Sequence, residues 1–261
     1  FIVSESLFFP YITGKNFTFR IIVEIMAGAW LTLALVYPQY RPRRSWVLTA
    51  FAVFVLVIGL ADALGAYPFK SFWSNYERMD GWVTLAHLLV YLFVAASVIT
   101  KEVLWRRLFY VSLALSAFVS IYGFMQIAGI TAIGNRSAAG LGARIDATFG
   151  NPIYLAVYML FHVFLALWLW TRAWIERGMG KRLWISLLFS FVIAIDTSIL
   201  FFTGTRGTII GLLGGSLLTA ILLVLFARSA DTAAGAWPLA RRIAVGYLAV
   251  MVLLIGSFWA V

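Results

Sequence analysis

Apolar stretches of about twenty residues recur along the whole chain, and they decide what it can fold into. A helix rises 1.5 Å per residue, so roughly twenty residues cross a bilayer core of about 30 Å. The stretches contain Gly, Pro and β-branched residues without ten-residue alternation, which favours helices over barrel strands. Composition agrees, because 63% of the 261 residues are hydrophobic and 11% are charged. The sequence therefore predicts an all-α, polytopic membrane helical bundle.

Seven complete spans and the start of an eighth are predicted from these stretches. No internal repeat or low-complexity linker separates them, so residues 1–261 are predicted to form a single transmembrane helical domain. Both ends run into apolar sequence, and we expect the domain to be incomplete at both, with more protein after Val261. The predicted spans are 18–37, 46–65, 81–100, 108–130, 152–170, 183–202, 208–227 and a last one from 243.

Basic residues concentrate in alternate loops. Thirteen of the twenty Lys and Arg residues lie in a first set of loops: 38–45, 101–107, 171–182 and 227–242. The positive-inside rule assigns this set to the cytoplasm. The second set faces outward: the N-terminal segment, 66–80, 131–151 and 203–207. Topology thus accounts for the net charge of +10, and we expect membrane lipids rather than nucleic acid around the chain. The chain has no cysteine, which excludes disulfides and thiolate metal sites.

The outward turn "TGTRGT" (203–208) contains a cation, Arg206, between two apolar spans. No acidic residue neighbours Arg206 in the sequence, and Asp196 lies nearly three helical turns earlier. The counter-charge must come from elsewhere in the fold or from a ligand, and we expect a ligand. An arginine fork matches phosphate oxygens bidentately.

The residues around this arginine suit an anion. Gly204 and Gly207 permit positive φ and close backbone approach. Thr205 and Thr208 offer hydroxyl groups, and a helix that begins near Thr208 presents free N–H groups at its positive end. The turn is therefore predicted to bind an anion through Arg206, Thr205, Gly207 and Thr208.

Other outward residues are candidates for the same site. Arg144, from the loop 134–152, pairs with Arg206 in a possible pyrophosphate clamp, although an Arg144–Asp146 ion pair that orders the loop competes with this role. Arg78 lies among Glu77 and Asp80, so a local ion pair competes with ligand contact there.

Three further features are expected to be structural. Asn151 and Pro152 suit the N-cap and the first turn of a helix. His87 and His162 lie inside spans without metal-ligand spacing, and each is interpreted as a hydrogen-bonded packing residue. No nucleotide-binding loop or paired-carboxylate motif is present.

Two segments together resemble the O-antigen ligase / Wzy-type polymerase family: "RIDATFGNPIYLAVY" (144–158) and "TGTRGTIIG" (203–211). Residues 8–20 and 72–87 are similar to members common in environmental bacteria. The resemblance implies a GT-C-type transferase of the bacterial cytoplasmic (inner) membrane with its active face in the periplasm. Such an enzyme moves a glycan from undecaprenyl pyrophosphate to an acceptor hydroxyl, without a cofactor or metal.

The resemblance also implies roles for individual residues. Arg144 and Arg206 would contact the pyrophosphate, and the base would be a histidine in a large outward loop beyond Val261. This chain alone is therefore expected to be inactive, with Asp146 and Asp196 as fallback candidates for the base. The acceptor is left open between lipid A core, another glycan and a protein. Polymerase activity is an alternative within the family, and a transporter or flippase for anionic lipids or a purely structural membrane subunit are alternatives outside it.

Overall fold

A computed structural model of the chain describes residues 10–75, 79–130, 144–176, 179–226 and 244–246. This described part is helical and contains no strand. Its helices are α1 (Thr13–Val36), α2 (Trp46–Leu64), α3 (Pro68–Trp73), α4 (Trp82–Val98), α5 (Glu102–Ile127), α6 (Pro152–Glu176), α7 (Met179–Phe202) and α8 (Arg206–Phe226). A short 3₁₀ turn, Pro38–Tyr40, follows α1.

Six of these helices, α1, α2 and α5 to α8, are long and apolar enough to cross a membrane. This confirms the prediction of an all-α, multi-pass membrane protein. The predicted span 81–100 corresponds to α4, which is apolar but has only 17 residues. The eighth predicted span, from 243, lies outside the described residues except for 244–246.

Several helices extend further than the hydropathy of the sequence indicates. The segment 101–107 is predicted as a loop, yet α5 begins at Glu102, and α6 continues to Glu176 inside the predicted loop 171–182. The predictions are wrong here because a charged residue ends an apolar stretch without ending a helix. Beyond the hydrocarbon, the same backbone hydrogen bonds form while the charged side chains reach water or head groups.

The chain divides into two compact units by its contacts. The first contains α1 to α4, the start of α5 as far as Val111, and residues 148–150. The second contains α5 from Ser112, residues 144–147, and α6 to α8. The single-domain assignment of residues 1–261 stays a prediction.

In the first unit, α4 packs against α1 and α2. Trp82 donates its indole N–H to the Val55 carbonyl at 2.8 Å, and a Cβ at Gly59 would lie 2.6 Å from the same nitrogen. The buried Arg20 of α1 donates to the carbonyl of Met79 and to Thr84 Oγ1 at 2.8 Å. Hydrogen bonds and close packing therefore both fix α4 against its neighbours.

In the second unit, α6 packs closely along α7 and also contacts α8. The interior is filled by side chains such as Leu155, Met159 and Ile199, none of which is exposed. The face that α5 turns inward is more polar, since Ser116 and Ser120 are fully buried and Gln126 nearly so. Gln126 on this face binds Asp146 and Ala147 in the loop that precedes α6.

Candidate functional site

A three-residue turn joins α7 to α8, and Gly204 is its centre. Gly204 has φ +63°, a left-handed conformation that residues with a Cβ adopt only at a cost. Thr203 donates its hydroxyl to the Leu200 carbonyl at 2.7 Å and accepts from the Thr205 N–H at 3.3 Å. The turn is thus held by its own side chains and by a glycine at the position that needs one.

Helix α8 begins at Arg206, two residues before the predicted span 208–227. The Ile209 N–H donates to the Thr205 carbonyl at 3.3 Å, so Thr205 stands at the N-cap. Thr208 uses its hydroxyl to donate to the same carbonyl at 2.8 Å. Within the described residues, the N–H groups of Arg206, Gly207 and Thr208 have no acceptor. The positive end of α8 therefore presents three free donors, and its first residue is the cation Arg206.

Gly207 differs from Gly204 in conformation and surroundings. Both glycines permit positive φ, but only Gly204 adopts it, because Gly207 lies within the first turn of α8. A Cβ at Gly207 would meet no atom within 4 Å. Open space therefore lies beside the free N–H groups, with room for a ligand oxygen.

Arg144 reaches this turn from the loop that precedes α6. Its Nε donates to the Thr203 carbonyl at 2.8 Å, and one terminal nitrogen donates to Thr205 Oγ1 at 3.3 Å. The aliphatic stem lies over Gly204, where a Cβ would stand 3.3 Å from the Arg144 Cγ. The competing ion pair with Asp146 is not formed.

Neither Arg144 nor Arg206 contacts an acidic side chain in the part of the chain that the structure describes. Both arginines are exposed. Arg144 uses a carbonyl and a hydroxyl as acceptors, whereas Arg206 has no hydrogen-bond partner among these residues. Two cations therefore lie at one turn without a negative charge from the described protein.

The loop that carries Arg144 is held by Gln126 of α5. The Gln126 Nε2 donates to Asp146 Oδ1 at 2.9 Å, and its Oε1 accepts from the Ala147 N–H at 2.9 Å. Ala147 has φ +47°, a conformation that persists in a residue with a Cβ only where the surroundings impose it. Asp146 and Ala147 are both buried. One amide side chain thus fixes the loop directly after Arg144.

Ile145 anchors the same loop through its backbone and side chain. Its N–H donates to the Phe202 carbonyl at 3.4 Å, and the side chain is fully buried. A Cβ at Gly123 of α5 would lie 3.5 Å from the Ile145 Cδ1 and 2.9 Å from the Ile199 Cδ1. The loop therefore fits against α5 and α7 at a point where α5 has no side chain.

The other predicted site residues lie in different places. Asp196 is fully buried, and seven residues of helix, about 10 Å, separate it from Thr203. Asp146 is also buried and bound by Gln126, so neither carboxylate faces the open turn. Arg78 lies outside the described residues, as does Val261.

The residues expected to be structural are so in the structure. Asn151 accepts from the Ile153 N–H at 2.8 Å, and α6 begins at Pro152, which confirms the predicted N-cap. His162 lies between Ser112 Oγ at 2.8 Å and the Tyr158 carbonyl at 2.7 Å. His87 lies 3.1 Å from Glu24. No group of three His, Cys, Asp or Glu side chains suited to a metal occurs among the described residues.

Replacing Gly204 with Ala is expected to lower the free energy of unfolding by about 1–2 kcal/mol, because Ala tolerates positive φ poorly. The new Cβ would also press on the Arg144 stem. Gly207→Ala is the matched control, and it should be neutral or stabilising by up to about 1 kcal/mol, because alanine favours a helix and space is open there. Thermal unfolding of both variants in detergent measures the difference, and equal midpoints would contradict this account of the turn.

Comparisons with known proteins do not assign the chain to a family. The chain matches no protein-family model, and neither the curated proteins nor the solved structures contain a match. The site therefore has to be interpreted from its own residues.

Proposed function

We propose that this chain is a membrane glycosyltransferase that moves a glycan from undecaprenyl pyrophosphate to an acceptor hydroxyl at the periplasmic face of the bacterial inner membrane. O-antigen ligation is the form of this reaction that we favour, with polysaccharide polymerisation as the alternative within the same family. The GT-C type of architecture belongs to the same proposal. Its basis is the anion-binding geometry of the α7–α8 turn, together with the sequence resemblance.

The observation that carries the proposal is the meeting of Arg144 and Arg206 at one helix start without acidic partners. The pyrophosphate of the donor is a doubly charged anion with several acceptor oxygens. Arginine forks bind such oxygens bidentately, and helix N-termini bind phosphate groups through free N–H donors. A purely structural subunit would instead be expected to pair each arginine with an acid.

The proposed chemistry is substitution at the anomeric carbon of the glycan. The acceptor oxygen bonds to this carbon while the bond from the carbon to the phosphate oxygen breaks, and the electron pair leaves with undecaprenyl pyrophosphate. The cations Arg144 and Arg206 would stabilise the negative charge that develops on the leaving group. A general base takes the proton of the acceptor hydroxyl. Asp146 and Asp196 are poorly placed for that role, because both are buried and hydrogen-bonded.

The proposal is tested by measuring first the binding of the lipid pyrophosphate and then the transfer of the glycan. The full chain in lipid nanodiscs is titrated with undecaprenyl pyrophosphate and, as the control, with undecaprenol, which has the same lipid tail and no phosphate. Tighter binding of the pyrophosphate supports the anion site, and equal affinities contradict it. The glycan-loaded donor is then supplied with lipid A core, a glycan or a protein acceptor. Release of undecaprenyl pyrophosphate with formation of a glycosylated acceptor supports the enzyme and identifies its acceptor.

A transporter or flippase for anionic lipids is the second candidate. It is favoured by the buried polar residues that line the inward face of α5, namely Ser116, Ser120 and Gln126. It predicts transbilayer movement of a fluorescent anionic lipid in proteoliposomes without glycan transfer. Such movement, abolished by Arg206→Ala, would replace the glycosyltransferase proposal.

A further inference from the structure

Asp196 is an acidic residue in the interior of the second unit. It lies within the membrane-crossing part of α7, Lys181–Phe202, and its side chain has no exposure. Ionisable groups at membrane depth are costly and mark functional positions by default. The candidate site at the turn does not use Asp196, so its presence needs a separate explanation.

Two serine hydroxyls of α5 contact the carboxyl group. The Ser120 Oγ lies 2.6 Å from Oδ1, and the Ser116 Oγ lies 2.8 Å from Oδ2. The two serines are four residues apart and therefore lie on one face of α5. These are hydrogen-bond separations, and no group of three His, Cys, Asp or Glu side chains suited to a metal includes Asp196 among the described residues.

Asp196 has no Lys or Arg partner among the described residues. Among the described residues it forms no ion pair, and α5 offers it serine hydroxyls only. The titratable groups that face it are His162 and Tyr158, both on α6. His162 Nδ1 faces the Tyr158 carbonyl, which only accepts, while Nε2 faces the Ser112 hydroxyl, which can donate. Both ring nitrogens of His162 therefore have partners other than Asp196.

The hydrogens around the carboxyl group can be assigned one by one. The Ser116 Oγ lies 2.9 Å from the Leu113 carbonyl as well as 2.8 Å from Asp196, but a hydroxyl has one hydrogen. If Asp196 is ionised, Ser116 must donate to it, and the contact with Leu113 has no hydrogen. If Asp196 carries a proton, it donates to Ser116, Ser116 donates to Leu113, and Ser120 donates to Asp196. The protonated form uses every hydrogen and buries no charge.

We propose that Asp196 is a proton-binding site within the membrane, occupied in the resting protein, whose acid proton joins α7 to Ser116 of α5. The same two helices hold the candidate site, because α5 carries Gln126 and α7 ends at the turn. Loss of this proton would place a buried negative charge between them. The proposal does not depend on the ligand of the turn.

Infrared difference spectroscopy of the full chain in nanodiscs at neutral pH tests this directly. The wild type minus Asp196→Asn spectrum should contain the C=O stretch of a protonated, hydrogen-bonded carboxyl group. Asp146→Asn is the matched control, because Asp146 is also buried but accepts from an amide N–H, and this variant should keep the band. If the only bands that Asp196→Asn loses are those of an ionised carboxylate, the proposal is wrong.

Ser116→Ala is a second test, which can be used if Asp196→Asn does not fold. Ser116→Ala keeps the acid and removes the acceptor of its proton, so the carboxyl band should move to higher frequency. An unchanged band in Ser116→Ala, or no protonated carboxyl band in either the wild type or this variant, would also overturn the assignment. Asn keeps an acceptor oxygen for Ser120 and an N–H that can donate to Ser116, as the neutral acid does, so Asp196→Asn should unfold near the wild-type temperature.

Discussion

Under the proposed function, replacing Arg206 with Ala is expected to abolish glycan transfer while the protein still inserts into the membrane. The exposed Arg206 makes no hydrogen bond or ion pair among the described residues, so stability should change little. A charge-assisted hydrogen bond contributes about 1.5–3 kcal/mol, so binding of undecaprenyl pyrophosphate should weaken roughly ten- to a hundredfold. Titration of the variant in nanodiscs and a transfer assay measure the two effects.

Two control variants distinguish the effect of the guanidinium group on binding from the effect of positive charge alone. Arg206→Lys keeps the charge without the planar fork and should bind with intermediate affinity. Arg44→Ala removes an equal charge from the exposed loop between α1 and α2 and should bind like the wild type. Normal transfer by Arg206→Ala would contradict the anion site, and an equal loss in Arg44→Ala would show that only the net charge matters.

Replacing Gln126 with Leu is expected to have the largest effect on stability. The substitution removes the hydrogen bond to Asp146 and leaves the buried Ala147 N–H without its acceptor. A buried group without a partner costs about 1–3 kcal/mol, and the strained Ala147 conformation loses its support as well. The loop should then hold Arg144 less well, so pyrophosphate binding should weaken together with stability.

Thermal unfolding and lipid titration of the same samples check this prediction. Gln39→Leu is the matched control, because Gln39 is exposed and has no partner among the described residues. Gln126→Glu keeps the acceptor for Ala147 but places a second carboxyl group against Asp146, and it should lose stability too. A Gln126→Leu protein with wild-type midpoint and affinity would mean that Gln126 does not position the loop.

Hydropathy predicted the spans because a bilayer imposes length and composition on every helix that crosses it. It missed the true start of α5 at Glu102 because a charge marks the edge of the hydrocarbon, not the end of a helix. The Asn151 N-cap was predictable because its partners are local. A cap is a contact between residues two apart, which a sequence displays directly.

The hydrogen bonds that hold the loop at the site were not predictable in the same way. Gln126 and Asp146 are 20 residues apart, and a single glutamine near a helix end carries no signal of the loop it will hold. The same is true of Ser116, Ser120 and Asp196, whose contacts join α5 to α7 across about 80 residues. A polar residue every fourth position on an apolar helix is the one pattern that points to such a buried face.

The bonds of Arg20 have a consequence for how the protein enters the membrane. Helix α1 contains Arg20 and Glu24, and their partners, Met79, Thr84 and His87, follow about sixty residues later in the chain. A charged residue opposes insertion of an isolated helix by roughly 2.5–3.5 kcal/mol at its centre. During synthesis, α1 therefore leaves the ribosome well before the residues that bind these two side chains. Arg20 and Glu24 can reach their final partners only after α4 has been made, so the packing of α1 is completed late in synthesis.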